Sequence, residues 1–209
     1  MIVRHWMSTD LVTIGKNASI QEALALMKQE AVRHLPVVDK RMNLLGWITD
    51  SDLRGVLIAS MLEELTLEDV MIRKPVIIHP ETPIEEAARI LLDMRIRGLP
   101  VVENDTLVGI LTVADILSAF ITFLGLLSES TRVDIKVSGP PSPLPEITQI
   151  VRQHGGEIIS ICHIPAEEGP QYSYSLRLKK TDLTPIIADL EKHGIQVVSQ
   201  IPWEETSQA

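Results

Sequence analysis

The residues with the clearest potential for ligand chemistry are a threonine and an aspartate, and the pair occurs twice. Residues 46–52 read GWITDSD and residues 109–115 read GILTVAD, so both follow the pattern Gly-x-x-Thr-x-x-Asp. The threonine is predicted where a strand passes into a helix, beside free helix amides that favour an anion such as phosphate. The aspartate, one turn later, only accepts hydrogen bonds and can hold the two hydroxyls of a ribose. The predicted ligand-binding residues are therefore Thr49, Asp52, Thr112 and Asp115.

The same spacing also has a purely structural interpretation. A hydroxyl three residues before a carboxylate at a helix start is a capping box, in which each side chain bonds the backbone N–H of the other residue. Capping and ligand binding do not exclude each other, although one copy alone would favour capping. The recurrence of Gly, Thr and Asp in phase favours a ligand site.

The elements that position these residues are themselves repeated, at an offset of 64 residues that falls to 63 after the second hairpin, which is one residue shorter. The apolar stripe from Ile20 to Met27 recurs from Ile84 to Leu91 with helical spacing. Both helices have a capping-box pattern at their start. The residues that form these patterns are Ser19 with Glu22 and Thr82 with Glu85.

Each predicted helix is followed by two strands and a second helix. The strands are predicted at residues 35–38 and 44–48 in the first copy and at 99–102 and 107–111 in the second. The closing helices are predicted near 51–61 and 113–127. The repeating unit is therefore strand, helix, strand, strand, helix.

Residues from about 129 onward do not match the repeat. They predict a strand, a loop at 138–145 that contains four prolines, a helix, two strands, a helix and a last strand. The order βαββαβ is that of a ferredoxin-like sandwich. The fold class is thus α+β, and the domains are predicted at 1–64, 65–128 and 129–209.

Over residues 1–128 the sequence resembles the CBS-domain family. The resemblance rests on the paired runs HLPVV at 34–38 and GLPVV at 98–102, together with the two Gly-x-x-Thr-x-x-Asp motifs. It implies that the two repeats pack as a Bateman-type module whose clefts bind AMP, ADP, ATP or S-adenosylmethionine. Thr49 and Thr112 match the family residue that contacts phosphate or ribose, and Asp52 and Asp115 match the one that holds the ribose hydroxyls.

The resemblance implies further site residues before and within the Leu-Pro strands. Arg33, His34 and Arg97 occupy positions that reach phosphate in relatives, and the alternative for the two arginines is a solvated surface charge. Because His34 corresponds to Gly98, the two clefts should differ, and the first is predicted to take the more highly phosphorylated nucleotide. An apolar cage for the purine is predicted, with core packing as its alternative. Its residues are Ile14, Leu35, Pro36, Ile78, Leu99 and Pro100.

The C-terminal region resembles an ACT domain through its strand order, although the proline-rich loop replaces the usual ligand loop. ACT domains often bind amino acids at a dimer interface, so both an amino-acid site and a purely dimerising role are open. A CBS pair followed by an ACT-like module is the arrangement of AcuB-type acetoin-utilisation proteins. This resemblance implies a regulator without a catalytic domain.

Composition and motif searches narrow the class of function. The formal charge of −9 argues against nucleic acid as a partner. No apolar run approaches the roughly 20 residues that span a bilayer, so we expect no membrane association and, by elimination, a cytoplasmic location. The six histidines lack metal-ligand spacing, and no nucleophile elbow or phosphate-binding loop occurs. We therefore expect no metal, no required cofactor and no catalytic residue.

These observations predict a homodimeric, non-catalytic regulator that senses an adenosine-containing ligand and signals to an unidentified protein or to its own ACT-like domain. Two alternatives remain open at this point. One is an amino-acid sensor that acts through residues 129–209. The other is a constitutive dimerisation scaffold without any ligand.

Overall fold

In a computed structural model, which describes residues 1–60, 65–138, 144–164 and 171–202, each repeat contains an antiparallel hairpin that lies between two helices. A 3₁₀ turn at Val3–His5 precedes the first of them. The first repeat comprises α1 (Ile20–Gln29), β1 (His34–Val38), β2 (Leu44–Thr49) and α2 (Asp50–Ser60). The second comprises α3 (Leu67–Val70), α4 (Ile84–Asp93), β3 (Gly98–Glu103), β4 (Thr106–Thr112) and α5 (Val113–Phe123).

The two predicted capping boxes at the starts of α1 and α4 have different outcomes. Ser19 and Glu22 bond each other's backbone N–H groups at 3.2 and 2.7 Å, so the first prediction is confirmed. The second is wrong, because α4 begins one residue later, after Pro83, and has no side-chain cap. The Thr82 hydroxyl instead accepts a hydrogen bond from the His79 N–H at 3.1 Å and closes the turn before the helix.

The first predicted strand of each repeat is reduced to a single parallel bridge. Ile14 pairs with Val37, and Ile78 pairs with Val101. Each isoleucine makes two backbone hydrogen bonds to the neighbouring strand, and the chain turns almost directly afterwards. Because a turn follows so soon, these segments cannot extend the sheet.

The two repeats exchange the segments that precede these bridges. Ser8, which belongs to the first repeat in sequence, pairs with Ile110 on β4 of the second. Ile72, which follows α3, pairs with Trp47 on β2 of the first. Both pairs are closed by two reciprocal backbone hydrogen bonds of 2.9 and 3.0 Å. The repeats are therefore interlocked rather than merely adjacent.

The exchanged segments also explain the glycine that opens each Gly-x-x-Thr-x-x-Asp motif. The sulfur of Met71 occupies the space beside Gly46 where a Cβ would lie, and the sulfur of Met7 does the same beside Gly109. A larger residue at either position would have to displace the methionine. The motif glycine thus serves the close approach of the partner repeat's segment.

The apolar stripe of α1 packs against one face of the β1–β2 hairpin. Leu35 and Val37 are fully buried in this core, and His34 and Pro36 alternate with them along the strand. Since neighbouring strand residues point to opposite faces, His34 and Pro36 are directed away from the α1 side. This alternation decides which strand residues can reach a ligand.

Residues 120–209 form a second compact unit, separate from residues 1–119. Its elements after α5 have the predicted order βαββαβ, and the sheet order β6-β7-β5-β8 is antiparallel throughout. The predicted proline loop falls largely on residues 139–143, outside the described residues. The elements are β5 (Ser130–Ser138), α6 (Leu144–Gln153), β6 (Ile158–Ile164), β7 (Gln171–Lys179), α7 (Thr184–Lys192) and β8 (Gln196–Pro202).

Helix α5 is shorter than predicted. It ends at Phe123 rather than near residue 127, and Gly125 adopts a left-handed conformation with φ of +69° that helix continuation does not allow. Among the described helices, none combines the length and apolar character needed to cross a bilayer.

Candidate functional site

The first Thr-x-x-Asp motif forms a tight junction between β2 and α2. The Thr49 hydroxyl donates to Oδ2 of Asp52 at 2.6 Å, and the Thr49 N–H donates to the same oxygen at 3.0 Å. In return, the Asp52 N–H donates to the Thr49 hydroxyl at 3.2 Å. The two side chains therefore cap the start of α2 and fix each other's orientation.

The second motif repeats this arrangement where β4 meets α5. The Thr112 hydroxyl and N–H both donate to Oδ2 of Asp115 at 2.7 Å. The Asp115 N–H donates back to the Thr112 hydroxyl at 3.4 Å. The structure thus brings the predicted residues of each motif together as predicted from the sequence.

The junction geometry alone does not identify a ligand site. Thr66 and Asp69 at the start of α3 form a similar capping box, in which the Thr66 hydroxyl and N–H donate to Oδ2 of Asp69 at 2.8 and 2.9 Å. This third Thr-x-x-Asp junction does not line the cleft that contains Thr49. The surroundings of Thr49 and Asp52 must therefore supply the argument for binding.

Those surroundings are an open cleft of about 610 Å³ between the two repeats. It brings together six of the predicted site residues, from both repeats. They are Thr49, Asp52, Arg33, His34, Arg97 and Pro100. The cleft is further lined by Trp47, Asp50, Ser51, Ile72, Lys74, Pro75, Val76, Arg95, Ile96 and Gly98.

His34 is the central side chain of this cleft. Its ring stacks on Trp47 with a centroid distance of 5.5 Å and an interplanar angle of 29°. Burial lowers the pKa of the His34 imidazole, and the charges of Arg33 and Arg97 lower it further, whereas Asp52 opposes them. A neutral imidazole stacked on an indole offers a flat, weakly polar wall beside a positively charged one.

The predicted purine cage needs correction. Leu35 and Leu99 have no exposed surface, and Ile78 is 5% exposed, so these three belong to the core. Ile14 is half-buried and does not line the cleft. Pro100 does line it, and Pro36 holds the equivalent buried position in the first repeat. The physical reason is strand alternation, which directs the leucines to the opposite face from the prolines.

Several lining residues were not predicted from the sequence. Lys74 and Val76 come from the segment before the Ile78 bridge, and Arg95 and Ile96 follow α4. The available signal for Arg95 and Ile96 was their position directly before the predicted Arg97. Apolar lining is provided by Ile72, Val76, Ile96 and Pro100 rather than by the leucines of the strands.

Backbone bonds show that the two motifs have equivalent settings. The N–H of Asp50 donates to the carbonyl of Arg33 at 3.1 Å, and the N–H of Val113 donates to the carbonyl of Arg97 at 3.1 Å. The position beside Thr112 is therefore built from the equivalent segments of the second repeat. Within the described ranges, no group of three or more His, Cys, Asp or Glu side chains could hold a metal ion.

The two repeats of this chain are similar to known proteins in sequence and in structure. The CBS domain family matches residues 3–59 and 67–122, which together make up more than half of the chain. The chain is similar to the CBS domain pair of protein MJ0100, solved with 5′-methylthioadenosine and S-adenosyl-L-methionine. The identity is 31%, with coverage of 57% of this chain and 95% of that one and a TM-score of 0.53.

Two further solved structures show the same likeness. CBSX2 of Arabidopsis thaliana, solved with AMP, is 31% identical, with coverage of 58% of this chain and 96% of that one and a TM-score of 0.54. A Vibrio cholerae protein named for acetoin utilization (AcuB) is 31% identical, with coverage of 61% and 96% and a TM-score of 0.56. The interlocked repeats, their paired Thr-x-x-Asp junctions and the family match lead to one conclusion: the chain belongs to the CBS-domain family.

Proposed function

We propose that this protein is a regulatory sensor that binds an adenosine-containing ligand in the cleft lined by Thr49 and Asp52. The observation that carries the proposal is the convergence, in one cleft, of a fixed carboxylate, a stacked aromatic wall and several cations. Relatives of the same fold bind AMP in one case and methylthioadenosine with S-adenosylmethionine in another. These ligands share the adenosyl group, which the cleft has the chemistry to hold.

Asp52 is the residue proposed to hold the ribose. Thr49 occupies only Oδ2 of the carboxylate, so Oδ1 remains available to accept the ribose hydroxyls. Thr49 contributes indirectly, because its hydroxyl proton is already donated to Asp52. In the second repeat, Thr112 and Asp115 are proposed to act in the same way.

The phosphate is proposed to lie at the start of α2. The Asp50 N–H is already bonded to Arg33, so the free N–H of the first turn within the cleft belongs to Ser51. The helix dipole favours an anion at this end. Arg33 and Arg97, from the two repeats, supply the positive charge beside it.

The purine is proposed to lie against the apolar part of the lining. Val76, Ile96 and Pro100 form this part, and the His34–Trp47 stack borders it. Adenine needs a flat apolar slot more than it needs charge. Because these three residues belong to the second repeat and the His34–Trp47 stack to the first, a ligand between them would favour one arrangement of the repeats over another.

We further propose that residues 129–209 form an ACT-like regulatory domain, in a homodimeric protein without catalytic activity that resembles AcuB-type regulators. The support is the βαββαβ order with strand order β6-β7-β5-β8. Helix α5 connects the second motif directly to this part of the chain, so it is the proposed route for the signal. Because ACT-like topology also suits amino-acid binding, a thermal-shift screen of the full chain with amino acids tests that second function.

The test of the main proposal is calorimetry of the full chain with AMP, ATP and S-adenosylmethionine. Asp52→Ala removes both a cap and the proposed ribose ligand, whereas Asp69→Ala removes only the equivalent cap of α3. Both variants should lose about 1 kcal/mol of unfolding free energy. Only Asp52→Ala should weaken ligand binding, by tenfold or more. If none of the three compounds binds to the unsubstituted protein below millimolar concentration, the sensor function is wrong and the scaffold alternative stands.

A further inference from the structure

The cleft beside Thr49 is lined by more cations than carboxylates. Four cations line it, against the two carboxylates of Asp50 and Asp52. Asp50 is already paired with Arg54, whose Nε lies 2.8 Å from Oδ2. Within the part of the chain that the structure describes, none of the four lining cations has an ion-pair partner. These four are Arg33, Lys74, Arg95 and Arg97.

The second cleft can be compared residue by residue, because positions 64 apart before the hairpin turns, and 63 apart after them, are spatial equivalents. The N–H of Ile14 donates to the carbonyl of Pro36 at 3.1 Å, and that of Ile78 donates to Pro100 at 3.1 Å. Ala31 and Arg95 follow their helices with nearly identical left-handed conformations, with φ of +53° and +54°. The equivalence therefore holds on both sides of the cleft.

This comparison shows that the charge is not shared between the clefts. Lys74 corresponds to Asp10, and Arg95 corresponds to Ala31. By this equivalence, the second cleft has Arg33 and Arg97 against two carboxylates, those of Asp10 and Asp115. The first cleft has a surplus of positive charge, and the second is balanced.

Resting on the proposed adenosyl-ligand function, we propose that charge divides the two clefts between different classes of ligand. The first cleft takes a nucleoside di- or triphosphate, and Lys74 and Arg95 are the residues that determine this preference. The second takes an adenosine derivative without several phosphates, such as a nucleoside or its thioether. Cations that line one cleft repel each other. A polyphosphate carries several negative charges, which offset this repulsion.

The test exchanges the charges of one cleft for those of the other. In an Asp115→Ala background, which disables the second cleft, calorimetry compares ATP, ADP, AMP and adenosine. The affinity should increase with each phosphate, and ATP should bind about tenfold tighter than AMP. Adding Lys74→Asp and Arg95→Ala should abolish this phosphate gradient, that is, the increase in affinity with phosphate number. The affinity for adenosine should change by no more than about twofold.

A matched control carries the same change in charge outside the cleft. Lys40→Asp with Arg41→Ala alters the exposed β1–β2 hairpin of the same unit. This control should keep the phosphate gradient, because neither residue lines the cleft and salt screens charges on the exposed surface. The reverse exchange, Asp10→Lys with Ala31→Arg in an Asp52→Ala background, should create the gradient in the second cleft. Arg95 already shows that arginine is compatible with the backbone conformation of residue 31.

The outcomes separate this inference from the proposed function. If adenosine compounds bind but their affinities do not depend on phosphate number or on the exchange, the inference is overturned and the sensor function remains. If no adenosine compound binds, the sensor function fails, and the inference that rests on it fails with it.

Discussion

His34 and Gly98 hold equivalent positions in the two repeats, and the ring of one lies against the backbone of the other. A Cβ placed on residue 98 would come within 3.3 Å of the His34 imidazole, which is closer than ordinary van der Waals contact. The His34 ring therefore fills a space beside residue 98 that two histidines could not share. The two clefts therefore differ at this pair of equivalent positions.

Gly98→Val is expected to destabilise the protein by about 1–3 kcal/mol, because the added methyl groups force the imidazole away from Trp47. His34→Ala in the same chain should recover most of this loss, since it empties the space that the valine needs. Urea unfolding of both single variants and of the double variant measures the coupling. Additive effects would show that the contact between residues 34 and 98 is not the cause.

Binding of a polyphosphate is expected to be coupled to protonation of His34. The pKa of His34 is below its ordinary value because of burial and because of Arg33 and Arg97. A bound anion would offset these arginines and raise the pKa, so the complex takes up a proton at this ring and the affinity increases as the pH falls through the ordinary histidine range.

Calorimetry in buffers of different ionisation enthalpy, at pH 6 to 7, measures this proton uptake. Phosphate groups titrate in the same range, so the contribution of His34 is the difference between the unsubstituted protein and His34→Gln. ATP binding to His34→Gln should show less proton uptake. Equal values for the two proteins would contradict the coupling.

The second unit is expected to lose stability in acid through Asp134. Its carboxylate accepts hydrogen bonds from Ser199 at 2.6 Å and from Arg132 at 2.9 Å. Burial would raise the pKa of Asp134, but hydrogen bonds from Arg132, Ser199 and Ser175 outweigh it and hold the pKa below its ordinary value. The stabilisation is therefore complete above the ordinary aspartate pKa and is lost as the pH falls through the folded value.

The measurement is the urea unfolding free energy of the second unit at pH 6 and pH 3, in the unsubstituted protein and in Asp134→Asn. The decrease between the two pH values should be smaller in the variant, which has no carboxylate to protonate at this position. Ser199→Ala should cost about 1–3 kcal/mol at pH 6, as expected for a hydrogen bond to a charged group. Ser128→Ala, an exposed serine of the same unit between α5 and β5, is the control and should cost little.

The sequence by itself was sufficient to predict the repeat, its helices and hairpins, the fold class and the two Thr-x-x-Asp junctions. These features depend on residues three or four positions apart, such as Thr49 and Asp52, whose geometry is set by the start of a helix. The prediction for Thr82 failed even at this range because Pro83 precedes α4 as its cap residue. A one-residue shift in where a helix begins is enough to change the role of a hydroxyl.

Only the tertiary structure decided which side chains share a cleft. Lys74 and Arg95 lie far from Thr49 in sequence and reach its cleft because the repeats exchange segments and pack face to face. Strand alternation then sent Leu35 and Leu99 into the core and left Pro100 on the cleft side. The charge surplus of the first cleft and the contact of His34 with Gly98 arise from packing between the repeats, which a local pattern does not encode.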